Sequence, residues 1–123
     1  MPSVLVIEDH PGSLDLMVYL LEHAGCLVHT ARDGITGIAA ARRHRPTLIV
    51  CDLDLPHCDG HGVARTLKDD PALAGVPLVA VTAAARSGDR DAALAAGFDG
   101  YFAKPIDPAT FVADVTAIRA RER

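Results

Sequence analysis

Four short apolar runs, each ending in a polar residue, constrain this chain more than any other feature. Val4-Leu5-Val6-Ile7 ends in Glu8-Asp9, Leu48-Ile49-Val50-Cys51 in Asp52, Leu78-Val79-Ala80-Val81 in Thr82, and Tyr101-Phe102-Ala103 in Lys104-Pro105. Short, continuous runs rich in β-branched residues, set between helical stretches, read as buried strands of a parallel sheet. Ligands of an open parallel sheet bind beyond the carboxyl ends of its strands. The four endings therefore predict that three carboxylates, one hydroxyl and one ammonium meet at one edge of the molecule.

The intervening stretches carry helical signals. Pro11 to His23 places Leu14, Met17, Val18 and Leu21 on one stripe, and Ala24-Gly25 supplies the stop. Leu27 to Ala31, with its His29 and Thr30, suits a strand at a sheet edge. Asp33 can cap a helix running to about Arg45, where Pro46 ends it. Pro56 to Gly60 is a turn by composition, and a helix through Val63, Ala64 and Leu67 follows, ending near Asp70-Pro71. Asp89 to Ala96 is a short helix with Gly97 behind it. The last helix is expected to start near Asp107-Pro108 and to carry Phe111, Val115 and Ile118 on one stripe. Five strands and five helices in strict alternation, joined by right-handed crossovers, imply a doubly wound α/β sandwich.

Composition narrows the function classes. A chain of 123 residues is one domain, and with 50% hydrophobic but only 4% aromatic residues its core must be aliphatic. A net charge of −4 leaves no basic stripe, which argues against nucleic-acid binding. No run approaches the length of a membrane span, and Met1-Pro2-Ser3 leads straight into a strand, so the expected location is the cytoplasm. Cys26, Cys51 and Cys58 do not suit a disulfide framework. Cys51 reads as a core thiol, and Cys58 as a loop thiol with no charged activating neighbour other than His57. His57, Cys58 and His61 fall within one turn of each other, but they would need a fourth ligand to hold zinc.

The acidic pair Glu8-Asp9, the segment Asp52-Leu53-Asp54-Leu55-Pro56 with Asp59-Gly60 behind it, Thr82, and Lys104-Pro105 together resemble the CheY-like receiver domain of bacterial two-component response regulators. The resemblance covers nearly the whole chain, and the single-domain length resembles the stand-alone members. It implies a flavodoxin-like (βα)5 fold with a five-stranded parallel sheet of order 2-1-3-4-5, forming one receiver domain over residues 1–123. It also implies a phosphorylation-controlled switch in a two-component system or phosphorelay, with no turnover beyond its own phosphoryl transfer and autodephosphorylation.

The same resemblance assigns roles. Asp52 would accept a phosphoryl group from a phosphohistidine. Glu8, Asp9, Asp52 and the backbone carbonyl of Asp54 would hold Mg²⁺, for which Mn²⁺ could substitute, because a carboxylate and a phosphoryl dianion repel until a cation neutralises both. Lys104 would place its ammonium against Asp52 and then against a phosphoryl oxygen, and its bond to Pro105 is expected to be cis. Thr82 would donate to the phosphoryl group as the conformational trigger, and Tyr101 would be the switch aromatic, turning inward as Thr82 moves. Asp54 and Ala84 would tune the lifetime of the acyl phosphate. Leu55 stands where Met is more common, a volume-conserving change.

The implied partners are a sensor histidine kinase or phosphotransfer protein as donor, met largely by the first helix. A downstream protein would bind the face formed by the fourth helix, last strand and last helix. Charge and hydropathy lead us to expect neither a nucleic-acid nor a membrane partner, and the expected state is a monomer or a phosphorylation-dependent dimer.

Two other readings share these residues. A haloacid-dehalogenase-type phosphatase also uses an Asp nucleophile, and Asp52-Leu53-Asp54 mimics its D-x-D, although that motif normally ends the first strand of a larger protein. A receiver-like scaffold that is never phosphorylated would keep the fold without the chemistry. The charged run Arg119 to Arg123 suits either a solvated terminus or the start of a linker in a longer regulator or hybrid kinase.

Overall fold

The computed structural model describes residues 2–83 and 88–121, with side chains up to residue 118. Five strands alternate with five helices: β1 (Ser3–Ile7), α1 (Pro11–His23), β2 (Leu27–Ala31), α2 (Gly34–His44), β3 (Leu48–Asp52), α3 (Gly60–Asp69), β4 (Leu78–Thr82), α4 (Asp89–Ala96), β5 (Gly100–Ala103) and α5 (Phe111–Arg121). The strands pair in parallel in the order β2-β1-β3-β4-β5. This is the doubly wound arrangement expected from the alternation, in the flavodoxin-like strand order that the family resemblance implies.

The apolar runs earn their places by burial. Every residue of β3 and β4 is buried, as is β1 from Val4 onward, whereas β2 and β5 lie at the edges and are partly exposed. Alternate residues feed opposite cores. Leu5, Ile7, Ile49, Cys51, Leu78 and Ala80 pack with Val63, Leu67, Ala93 and Phe98 from the α3 and α4 side. Val4, Val6, Leu48, Val50, Val79 and Val81 pack with Met17, Leu21, Phe111, Val115 and Ile118 from α1 and α5. Burial of an aliphatic side chain contributes about 1.5–3 kcal/mol, so an almost ring-free core suffices for this sandwich. Among the described residues no helix is long and apolar enough to cross a membrane.

Helix ends follow local chemistry. The Asp33 side chain accepts from Thr36 N at 2.8 Å and starts α2. Asp59 does the same for α3 through Gly62 N, also at 2.8 Å. At α1 the cap is His10, whose Nδ1 accepts from Ser13 N at 3.1 Å, with Pro11 as the first helical residue. The last helix departs from expectation: α5 begins at Phe111. Asp107 accepts through its side chain from Ala109 N, and through its carbonyl from Thr110 N and Phe111 N. A hydrogen-bonded turn therefore stands where the first helical turn was expected.

Candidate functional site

Strand register brings the polar endings together. Ile7 pairs with Cys51, Asp52 with Val81, and Thr82 with Ala103. The residues just past or at these pairs are Glu8-Asp9, Asp52, Thr82 and Lys104. Backbone hydrogen bonds extend the ladder beyond the strands: Glu8 N donates to Ala31 O at 3.0 Å, Leu53 N to Val81 O at 3.2 Å, and Lys104 N to Thr82 O at 2.8 Å. The site residues thus leave a shared frame rather than independent loops. The Lys104–Pro105 peptide bond is cis, as expected.

Charges sit unusually deep at this edge. Glu8 is fully buried, and Asp52 and Thr82 are nearly so. Glu8, Asp9 and Asp52 each offer a carboxylate oxygen, and these atoms lie within 4.8 Å of one another. Lys104 Nζ ion-pairs with Glu8 Oε1 and lies 3.4 Å from Asp52 Oδ2. His10 N donates to Glu8 Oε2 at 3.2 Å, and Asp54 N donates to Asp52 Oδ1 at 3.1 Å. Both oxygens of Asp52 are therefore oriented by donors.

One ammonium against three carboxylates leaves an electrostatic imbalance. Burial, then the adjoining Asp52 carboxyl, pushes the Glu8 carboxyl up to about 7, against the opposing pull of Lys104. Burial alone would lower the Lys104 ammonium, but its bond to Glu8 and the charge of Asp52 outweigh that and raise it. The residues present fit a divalent cation. The oxygen donors are hard, they converge, and a buried carboxyl that resists ionising is relieved by positive charge. Cys51, wholly buried beside this charge, is held well above the ordinary thiol range, first by burial and then by Asp52. It is a core thiol.

Thr82 and Asp54 meet beside the acidic group, with Thr82 Oγ1 donating to Asp54 Oδ2 at 3.3 Å. They border an open cleft of about 570 Å³ whose wall includes Asp9, Asp59, His61 and Asp89. Tyr101 is half-buried on the edge strand, with its ring against the α3–α4 core. Its hydroxyl is already buried, with no hydrogen-bond partner among the described residues. An inward turn of the ring is thus not needed to bury the hydroxyl. Ala84 lies outside the described residues.

Several contributors were not legible beforehand. Arg32, after β2, donates from Nη2 to the carbonyl of Asp9 at 3.2 Å. Strand order supplies the missing signal, since the loop after β2 must pass the end of β1. The β3–α3 link contains a three-residue turn in which Cys58 N donates to Pro56 O at 2.8 Å, with His57 at φ 72°. Gly34 lies so close to that link that a Cβ would stand 2.1 Å from the Cys58 carbonyl oxygen. Asp52-Leu53-Asp54 ends the central third strand, unlike the first-strand D-x-D of the phosphatase alternative.

Comparison with known proteins agrees with this geometry. The family model of the response regulator receiver domain matches residues 4–116. The polar-differentiation response regulator DivK of Brucella anthropi is 37% identical over 110 residues, 89% of either chain. The receiver domain of a sensor histidine kinase from Pseudomonas aeruginosa PAO1 is 31% identical, with a TM-score of 0.89 over 97% of this chain and 98% of that one. That structure has a magnesium ion coordinated in its active-site cleft. The signal receiver domain of a signal transduction histidine kinase from Syntrophus aciditrophicus is 26% identical, with a TM-score of 0.89 over 98% of this chain and 92% of that one.

Proposed function

The chain belongs to the response regulator receiver domain family, and we propose that it switches by accepting a phosphoryl group on Asp52 from the phosphohistidine of a kinase or phosphotransfer protein. As a receiver domain it serves phosphorylation-controlled signalling. The observation that carries the finer reading is the convergence of Glu8, Asp9 and Asp52 beside the Lys104 ammonium. Magnesium, or manganese in its place, would be held by these three carboxylates and the Asp54 carbonyl, and would supply neutralisation of the acceptor and the phosphoryl dianion.

In the transfer, a carboxylate oxygen of Asp52 bonds to phosphorus as the phosphorus–nitrogen bond of the donor imidazole breaks, and the bonding electrons return to that nitrogen. The Asp54 N–H and Lys104 hold the Asp52 carboxylate in place for this attack. The Lys104 ammonium is close enough to move onto a phosphoryl oxygen as charge develops there. Thr82, buried at the end of β4, is placed to give its hydroxyl to another. An apolar groove of about 220 Å³ between the start of α1 and the segment after β5, lined by Leu16, Met17, Lys104 and Ile106, supports approach of the donor over α1. The output reading places the partner on the α4-β5-α5 face, which carries Tyr101 and the exposed Leu94. Asp54 and Ala84 are assigned to the lifetime of the acyl phosphate.

Intact mass after incubation with Mg²⁺ and acetyl phosphate tests the reading. A Mg²⁺-dependent phosphoryl adduct on wild type, absent from Asp52→Ala, is the expected result. Equal incorporation in the two proteins would refute it.

A further inference from the structure

The links that leave β1 and β2 are joined at a single peptide. Glu8 N donates to Ala31 O at 3.0 Å, and Asp33 caps α2 by accepting from Thr36 N at 2.8 Å. Arg32 stands between these two anchors, so its side chain leaves a fixed base. Its Nη2 donates to the carbonyl of Asp9 at 3.2 Å. The N–H of that same planar peptide unit belongs to His10, and it donates to Glu8 Oε2 at 3.2 Å. Arg32 thus holds one end of the peptide whose other end holds the buried carboxyl of Glu8. The second Glu8 oxygen, Oε1, is engaged by Lys104. Arg32 is exposed and takes no part in the ion pairs among the described residues. Its bond goes to the main-chain carbonyl of Asp9, although Asp9 itself carries a carboxylate.

We infer that Arg32 is a positioning residue for the cation site: through the Asp9–His10 peptide it fixes the carboxylates of Glu8 and Asp9 in the arrangement that converges with Asp52. The inference deepens the divalent-cation part of the proposed function and rests on it. A planar peptide held at its oxygen resists turning its N–H away from Glu8. A guanidinium on the carbonyl also polarises the amide, which strengthens the bond that the N–H makes. Glu8 is thereby held from outside the sheet by β2, as it is held from β5 by Lys104. The same guanidinium brings a positive charge towards a site suited to cations. By charge alone it would weaken their binding. Position and charge therefore act with opposite sign, and a substitution that removes both tells which one dominates.

The test uses the full ¹⁵N-labelled chain, wild type, Arg32→Met and Arg32→Lys, in two arms. In metal-free protein, the His10 amide of Arg32→Met should exchange with water about 5-fold faster, as loss of one hydrogen bond of ordinary strength implies. The Glu8 amide, which donates to Ala31 O in the same link, should not change. Titration with Mg²⁺ is then followed at the Asp54 amide, which donates to Asp52 Oδ1. Arg32→Met should bind Mg²⁺ about 10-fold more weakly, the lower end for a lost partner that orients a metal ligand. Arg32→Lys keeps a charged donor for this single bond and should recover most of both effects. Tighter Mg²⁺ binding by Arg32→Met would show that the guanidinium acts only as a repelling charge and would overturn the inference. So would an unchanged His10 amide, or a Glu8 amide that loosens as much as that of His10. If the metal-free arm behaves as expected but wild type gives no Mg²⁺-dependent shift, the failure lies with the cation reading, and the role assigned to Arg32 falls with it.

Discussion

Replacing Lys104 by Met removes the ammonium that faces two carboxylates, with Glu8 fully buried and the Asp52 side chain 6% exposed. Near pH 6 Glu8, with a pKa of about 7, already holds its proton in wild type. There the variant loses mainly the charge-assisted bond to Asp52, about 1.5–3 kcal/mol. Above pH 7 the proteins diverge. In wild type Glu8 ionises and Lys104 holds the carboxylate, so the stability linked to Glu8, fully present below its unfolded value of 4.5, is lost as pH rises through about 7 and then levels off. In the variant burial keeps the proton on Glu8, while the unfolded chain has none there. The folded state binds one proton more, and stability continues to fall by about 1.4 kcal/mol per pH unit. The gap between the proteins should therefore widen by about 1.4 kcal/mol from pH 6 to pH 8. With no Trp in the chain, urea unfolding in EDTA followed by far-UV circular dichroism is the assay. A gap of the same size at both pH values, or none at either, would refute the reasoning.

Further substitutions probe the frame around the site. His57→Gly should stabilise by about 0.5–2 kcal/mol in urea unfolding. It relieves a strained backbone at φ 72° worth about 1–3 kcal/mol, less the added freedom of Gly in the unfolded chain; a loss of stability would contradict this. Gly34→Ala sets a Cβ 2.1 Å from the Cys58 carbonyl oxygen, whereas Gly75→Ala meets nothing within 4 Å. The first should cost about 1–3 kcal/mol and slow Mg²⁺-dependent phosphorylation by disturbing the link after Asp52, and the second should do neither. Lys68 Nζ donates to Ala74 O, Val76 O and Asp99 Oδ2 at 3.2–3.3 Å. Lys68→Met should therefore cost about 2–3 kcal/mol, and an unchanged urea midpoint would show that water replaces these bonds.

Much of this molecule was readable from its residues because its strands are buried on both faces. A continuous apolar run leaves little choice of state, and α1 and α4 carry their own stops at Gly25 and Gly97. The same runs fixed which polar residues would meet, since parallel pairing aligns strand ends. What the sequence did not reveal depends on contacts between distant segments or on backbone angles that residue identity does not dictate. Asp107-Pro108 has the chemistry of a helix start, yet the hydrogen bonds to Asp107 form a turn and α5 begins at Phe111. A positive φ at His57 could not be read from the sequence, because only a few per cent of non-glycine residues adopt it and nothing local singles out this one. The Thr82–Asp54 bond joins residues 28 apart in the chain, and the burial of the Tyr101 hydroxyl, without a hydrogen-bond partner among the described residues, is a property of packing alone.

The central claim is that Asp52, among several neighbouring carboxylates, is the acceptor. Borohydride reduction after treatment with acetyl phosphate and Mg²⁺ converts an aspartyl phosphate to homoserine, and peptide mapping then locates it. Homoserine at residue 52, dependent on Mg²⁺ and lost in Lys104→Met, is the result this account requires. Homoserine at Asp9 or Asp54, or a phosphoryl adduct by mass that leaves residue 52 as aspartate after reduction, would contradict it.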